Sequence, residues 1–176
     1  MKNQIKEFFF SFGFWMTVVS FAIVGLIIWG STAYQKSVIS QYETKTSREV
    51  ALTCTTDMAT KFHIHPILKI IVGGVEQKIP ANIGVSALCM NSIHTHDSSG
   101  TLHVESPAKK DFTVGDFFAV WGKEFNQSQI LDYKTDNTNT IITTVNDKSV
   151  DTYENTIMND GDKIIIEYKD QKTNGA

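Results

Sequence analysis

The chain has 176 residues, a formal net charge of −3 and 16 Lys plus Arg against 19 Asp plus Glu. With no run of cations and no basic face, it lacks the electrostatic footprint of nucleic-acid binding. Two cysteines, Cys54 and Cys89, are an even number and permit one disulfide in an oxidising compartment.

Residues 1–7 form a short leader carrying Lys2, Lys6 and Glu7. Phe8 to Trp29 contains no charge, and its 22 residues, at about 1.5 Å of rise each, span about the 30 Å of a bilayer core. Residues 8–30 therefore read as one transmembrane anchor, with Trp29 and Tyr34 as interfacial residues. Small residues from Gly30 to Ala33 also permit removal as a signal peptide, but the apolar length favours an uncleaved anchor. The basic leader predicts the N-terminus inside and the remainder outside the cell membrane, although Lys36, Lys45 and Arg48 nearly balance the count. The aromatic-rich start, Phe8 to Trp15, suits contact with lipid and is compatible with docking into a larger membrane complex. Residues 31–52 read as a polar juxtamembrane stalk with helical spacing at Val38, Ile39 and Tyr42. Residues 53–168 suffice for one domain with a real core, and residues 169–176 read as a frayed tail.

Within that domain, Phe62–Val72 alternates and then runs apolar, the pattern of a β-strand. Gly73-Gly74 predicts a hairpin with Val75–Ile79 returning, and Pro80 to Gly84 opens a loop. Ser98-Ser99-Gly100 is a turn before a short strand, Thr101–Glu105. Thr113 caps a short apolar helix with Asp116 in its first turn; Phe117, Phe118, Val120 and Trp121 follow, and Gly122 ends it. Thr140–Val145 is β-branched throughout, Asn146-Asp147-Lys148 turns, and Lys163–Tyr168 closes the domain after Asn159-Asp160-Gly161. The sum is α+β: a mainly antiparallel β domain with one buried helix, preceded by a transmembrane helix. The ending has a β-grasp character, which by itself says nothing of function.

All five histidines fall between His63 and His103. They stand as His63-Ile64-His65, His94-Thr95-His96-Asp97 and His103-Val104-Glu105. On an extended strand an i, i+2 pair shares one face. Two such pairs facing each other would supply four neutral imidazoles, donors suited to zinc, copper, nickel or iron. His63, His65, His94, His96 and His103 are thus candidate ligands, predicted to converge. Asp97 and Glu105 would supply oxygen, either to the metal or to orient an imidazole. The alternative is a hydrogen-bonded network bracing the loop 81–107 without metal. Outside the cell a nitrogen-rich site favours copper, with zinc next. Cys89-Met90 before His94 invites a blue-copper comparison, but the histidines dominate; a Cys54–Cys89 disulfide is the expected fate of Cys89, against a free or ligating thiol. A cupin comparison is shallow, because His65 is followed by apolar residues and the glycines do not match.

His63-Ile64-His65-Pro66, Ile79-Pro80-Ala81-Asn82-Ile83-Gly84, His94-Thr95-His96-Asp97-Ser98-Ser99-Gly100 with His103-Val104-Glu105-Ser106-Pro107, and Gly115-Asp116-Phe117-Phe118-Ala119-Val120-Trp121-Gly122 form a further pattern. Over roughly residues 60–168 the chain resembles a family of uncharacterised archaeal and bacterial proteins, membrane-anchored or secreted, that share the His-Thr-His-Asp block. The resemblance implies that the five histidines, Asp97 and Glu105 form a site, and it implies no particular reaction. No phosphate loop, serine elbow or Cys-His signature is present, so an enzyme is the least favoured class. A metal-holding or metal-delivering module comes first, and a non-catalytic accessory subunit of a membrane complex second.

Overall fold

The computed structural model describes the backbone of residues 2–56 and 60–171, with side chains from Phe14 onward. The chain divides into two compact units between Gln41 and Tyr42. The first is almost wholly the long helix α1 (Lys2–Glu43). From Phe14 onward α1 is long and apolar enough to cross a membrane. From Phe14 to Tyr34 its apolar side chains are exposed on all sides, Phe21 at 78% and Trp29 at 70%, as a helix in lipid would be. Within the apolar stretch Thr17, Ser20, Ser31 and Thr32 bond back to the preceding turn, Thr17 to the Phe14 carbonyl at 2.7 Å and Ser31 to Ile28 at 2.8 Å, which satisfies these four without water. The side chains of Phe8, Phe9, Phe10 and Phe12 lie outside the described residues.

The expected stalk over 31–52 divides in two. Its first part continues α1. Its second part is α2 (Ser47–Leu52), which opens on a Thr46–Glu49 capping box and buries Val50 and Ala51 completely. Arg48 Nε donates to Asp116 Oδ1 at 2.6 Å, and Asp116 is 2% exposed, so α2 belongs to the second unit. Spacing at Val38, Ile39 and Tyr42 reveals a helix, but only tertiary contact shows where the domain starts.

The strands that follow are β1 (Cys54–Thr55), β2 (Phe62–Ile64), β3 (Ile67–Val72), β4 (Val75–Gln77), β5 (Met90–Asn91), β6 (Ile93–His94) and β7 (His103–Ser106). After helix α3 (Val114–Trp121) come β8 (Phe125–Asn126), β9 (Gln129–Ile130), β10 (Tyr133–Lys134), β11 (Asn139–Val145), β12 (Lys148–Val150) and β13 (Lys163–Asp170). Eight of their nine pairings are antiparallel; only β13 with β3 is parallel. The largest sheet has the order β12-β11-β13-β3-β4: two hairpins flank the central strand β13, which runs parallel to β3, the β-grasp arrangement. Gly73 and Gly74 turn the first hairpin at φ +56° and +82°, Asn146 and Asp147 the second at +50° and +66°. Two successive positive φ values match the twist of the strands they join. Leu68, Ile70, Ile141, Ile164 and Ile166 alternate into the core of this sheet.

Three local expectations change. Phe62–Val72 is two strands in two sheets, because Pro66 offers no N–H and restrains His65 away from a continuous ladder. The strand expected over Thr101–Glu105 runs His103–Ser106; Leu102 N is taken by the Pro66 carbonyl at 2.9 Å. The tail is shorter, since Lys169 and Asp170 extend β13 opposite Thr140 and Asn139; residues 172–176 lie outside the described residues. The small sheet β10-β9-β8 carries too few residues per strand to show a period in the sequence. Helix α3 is as expected, with a Thr113–Asp116 capping box and Gly122 left-handed at its end.

One glycine fixes how the loop before β7 meets the sheet. Gly100 has φ +85°, and a Cβ there would lie 2.3 Å from the Leu68 carbonyl oxygen. Its own carbonyl accepts from Leu68 N at 2.9 Å. Gly100→Ala should therefore destabilise the folded protein by roughly 2–4 kcal/mol. Gly73→Asn, at a turn with open space and a left-handed φ that Asn tolerates, should stay within about 0.5 kcal/mol. Denaturant unfolding of the full chain in detergent, with both variants compared, measures the contrast; equal losses would count against the close approach at Gly100.

Candidate metal centre

The sheet β2-β7-β6 carries the site. In its register His63 faces Glu105 and His94 faces His103, while Ile64 and Ile93 both face Val104. Since side chains alternate across a pleat, the histidines and Glu105 take one face and the three aliphatics the other. Ile93 and Val104 are fully buried and Ile64 is 7% exposed. The aliphatic face anchors the sheet, and the opposite face presents the imidazoles. His65 and His96 extend that face one step past β2 and β6.

The structure brings all five imidazoles together around His103. Its ring centroid lies 4.5 Å from His96, 4.7 Å from His65, 5.5 Å from His94 and 6.2 Å from His63. Among the described residues two sets of three could each hold a metal ion: His63, His65 and His103, and His94, His96 and His103, each with its candidate ligand nitrogens within 4.8 Å of one another.

Hydrogen bonds assign several nitrogens. His94 Nδ1 lies 3.0 Å from the Asn91 carbonyl oxygen, which only accepts, so Nδ1 carries the proton and Nε2 the lone pair. That Nε2 is 3.2 Å from His96 Nε2. Two nitrogens bound tetrahedrally to one zinc at about 2.0–2.1 Å would be about 3.3 Å apart. His63 Nε2 lies 3.1 Å from Glu105 Oε1, the carboxylate–imidazole pair that orients a ligand ring. Asp160 Oδ1 accepts from the His65 backbone N at 2.8 Å and stands 3.8 Å from its ring Nδ1. Ser92, whose carbonyl accepts from Glu105 N at 2.7 Å, has a buried hydroxyl without a partner among the described residues.

Asp97 takes a different part from the one expected. Its Oδ1 accepts from Ser99 N at 2.8 Å, closing the turn after His96. Those Ser99 bonds hold its carboxyl below the usual range, with His103 and His96 acting in the same direction after them. A side chain two residues before a backbone N–H turns back on its own chain more readily than it reaches an imidazole.

Thr95, between the two histidines, is fully buried. Its Oγ1 donates to the Pro80 carbonyl at 2.9 Å and accepts from Ile83 N at 3.0 Å. Its backbone N donates to the Ile83 carbonyl at 3.0 Å, and its carbonyl accepts from Asn82 N at 2.9 Å. These four bonds tie the Ile79–Gly84 segment to the ligand strand. Gly84 fits because a Cβ would come within 2.6 Å of the Ile93 carbonyl oxygen. A disulfide joins Cys54 to Cys89. Closing a loop of this size stabilises by about 3–4 kcal/mol through loop-closure entropy. Cys54 also faces Asn91 across β1 and β5, and Asn91 Nδ2 donates to the Ala51 carbonyl at 3.0 Å, so the carbonyl that orients His94 is itself held. Thr95, Asn91 and Asp160 escaped the sequence reading; Thr95 alone left a signal there, a hydroxyl fixed between two ligand positions.

Burial pushes the His94 imidazole below its ordinary value; the Asn91 bond opposes this, and His96 reinforces it. Burial lowers His103 too, followed by the neighbouring His96 and His65. Compared with protein-family profiles, curated proteins and solved structures, the chain matches none.

Two outcomes follow from this geometry. Thr95→Val leaves the buried Ile83 N–H without its acceptor, and should cost roughly 1–3 kcal/mol. It should also raise hydrogen exchange at Ile83, and a loss below about 0.5 kcal/mol would remove its assigned part. Second, His94 and His103 bind protons more weakly folded than unfolded, so the unfolded chain takes up more protons as pH falls. The stability they contribute is complete above about pH 6.5 and lost below it, as pH falls toward their lowered values. Thermal unfolding of the metal-free protein at pH 7.5 and 5.5 should show this loss, and His103→Gln should flatten it; a wild-type midpoint that does not move contradicts the assignment.

Proposed function

We propose that this protein is a membrane-anchored, extracytoplasmic transition-metal-binding protein that holds or delivers its ion through the five clustered histidines. The observation that carries the reading is the convergence of five imidazoles on one face of β2-β7-β6, with two ligand nitrogens 3.2 Å apart. Neutral imidazoles add no charge while donating lone pairs, and the affinity order places copper first and zinc next. Placement of the site outside the cell is supported by the Cys54–Cys89 disulfide, since such bonds persist in oxidising compartments. The anchor is the apolar stretch of α1, with the N-terminus inside on the strength of its short basic leader. We extend the proposal to the archaeal and bacterial proteins whose His-Thr-His-Asp block this chain resembles.

Elemental analysis of the full chain, purified in detergent without a histidine tag, should find copper or zinc bound in stoichiometric amount. Added metal should stabilise folding by about 2.7 kcal/mol at a hundredfold excess over its Kd, and should release protons when added below about pH 6.5. His94→Ala with His96→Ala should remove both effects. A wild type that gains no stability from copper or zinc at neutral pH would leave the imidazoles as a structural network. Recovery only within a larger assembly would then favour an accessory subunit.

A further inference from the structure

Resting on the metal-binding reading, we infer that the five histidines form a two-position relay for a single ion, with His103 the ligand common to both positions. The two sets differ in chemistry. The first, His63, His65 and His103, is flanked by carboxylates, Glu105 Oε1 at 3.1 Å from His63 and Asp160 Oδ1 at 3.8 Å from His65. Its two outer rings are open to solvent, His63 at 44% and His65 at 43% of the side chain. Negative charge beside exposed imidazoles concentrates a cation and meets it with donors open to solvent, the properties of a capture position.

The second set, His94, His96 and His103, is built around a buried ring, with His96 exposed at its edge. His94 is fully buried, with Nδ1 committed to the Asn91 carbonyl and Nε2 aimed at His96 Nε2. A ring already fixed in its ligating orientation has little left to organise when an ion arrives, the property of a holding position.

A neutral imidazole has one lone pair, so His103 completes one set at a time. An ion bound by three histidines in either set leaves the other with two. Moving between positions exchanges His63 and His65 for His94 and His96, while no proton or electron changes hands. His103 sits on the central strand between both pairs, within 6.2 Å of every other ring, where such an exchange is short.

The test uses the full chain in detergent, with zinc supplied from a chromophoric chelator. Zinc uptake is followed by stopped flow, and its loss by competition with a stronger chelator. Wild type should bind one zinc per chain. His63→Asn with His65→Asn should slow uptake by about tenfold or more and leave release nearly unchanged, whereas His96→Asn should speed release by about tenfold or more and leave uptake nearly unchanged. His103→Asn should impair both. His63, His65 and His96 are at least partly exposed, and unchanged thermal unfolding of the metal-free variants establishes that they fold. Two zinc ions per chain at saturation, or the same rate constant altered equally by both sets of substitutions, overturns the relay while leaving metal binding intact. No zinc bound by wild type overturns the metal reading itself.

Discussion

The pleat of one short strand governs the site. In β7, Val104 points into the core while His103 and Glu105 point away from it, and every imidazole is positioned relative to that strand. Burying Val104, Ile64 and Ile93 fixes the register on both sides, because a slip of one residue would exchange aliphatics for histidines on the buried face. Apolar burial thus holds in place five side chains that would otherwise gain little from being near one another. Without an ion between them, burial first and the His96 and His65 rings at 4.5 and 4.7 Å second hold the His103 imidazole below its ordinary value.

The surrounding loop is built to keep that geometry. Thr95 spends its hydrogen-bonding capacity on Pro80, Asn82 and Ile83, so His94 and His96 flank a residue tied down at four points. Gly84 and Gly100 allow backbone approach that any side chain would block. The Cys54–Cys89 bridge adds a covalent tie near Asn91, whose carbonyl selects the His94 tautomer. Beside this rigid half, His63 and His65 straddle the end of β2, where Pro66 interrupts the ladder and their rings meet solvent. Rigidity is therefore concentrated at His94, while His63, His65 and His96 meet solvent.

Much of the fold was legible because its signals are local. The Gly-Gly and Asn-Asp turns, the Thr113 cap and the Gly122 stop each depend on the conformational limits of a few residues. The apolar length of α1 is equally local. The histidine pairs marked a candidate site through their spacing alone. Less legible were Phe62–Val72, where a continuous apolar pattern hides a change of sheet, and α2, whose six residues are too few to show an amphipathic period. Asp97 misled because a carboxylate next to a histidine invites ligation, whereas the nearest N–H donor belongs to Ser99.

By itself, then, the sequence determined the helix long and apolar enough to cross a membrane, the α+β composition, the hairpin turns and the candidacy of the five histidines. Each follows from periodicity or from the stereochemistry of neighbouring residues. Tertiary structure alone decided that His103 is the centre of the cluster, that Glu105 and not Asp97 pairs with a histidine, that Asp160 reaches His65, and that α2 belongs to the core. Those facts depend on strand register and on contacts between residues far apart in the chain, such as His65 with Asp160 and Arg48 with Asp116. No local pattern encodes them, because register is set by which apolar faces bury one another once the whole sheet has formed.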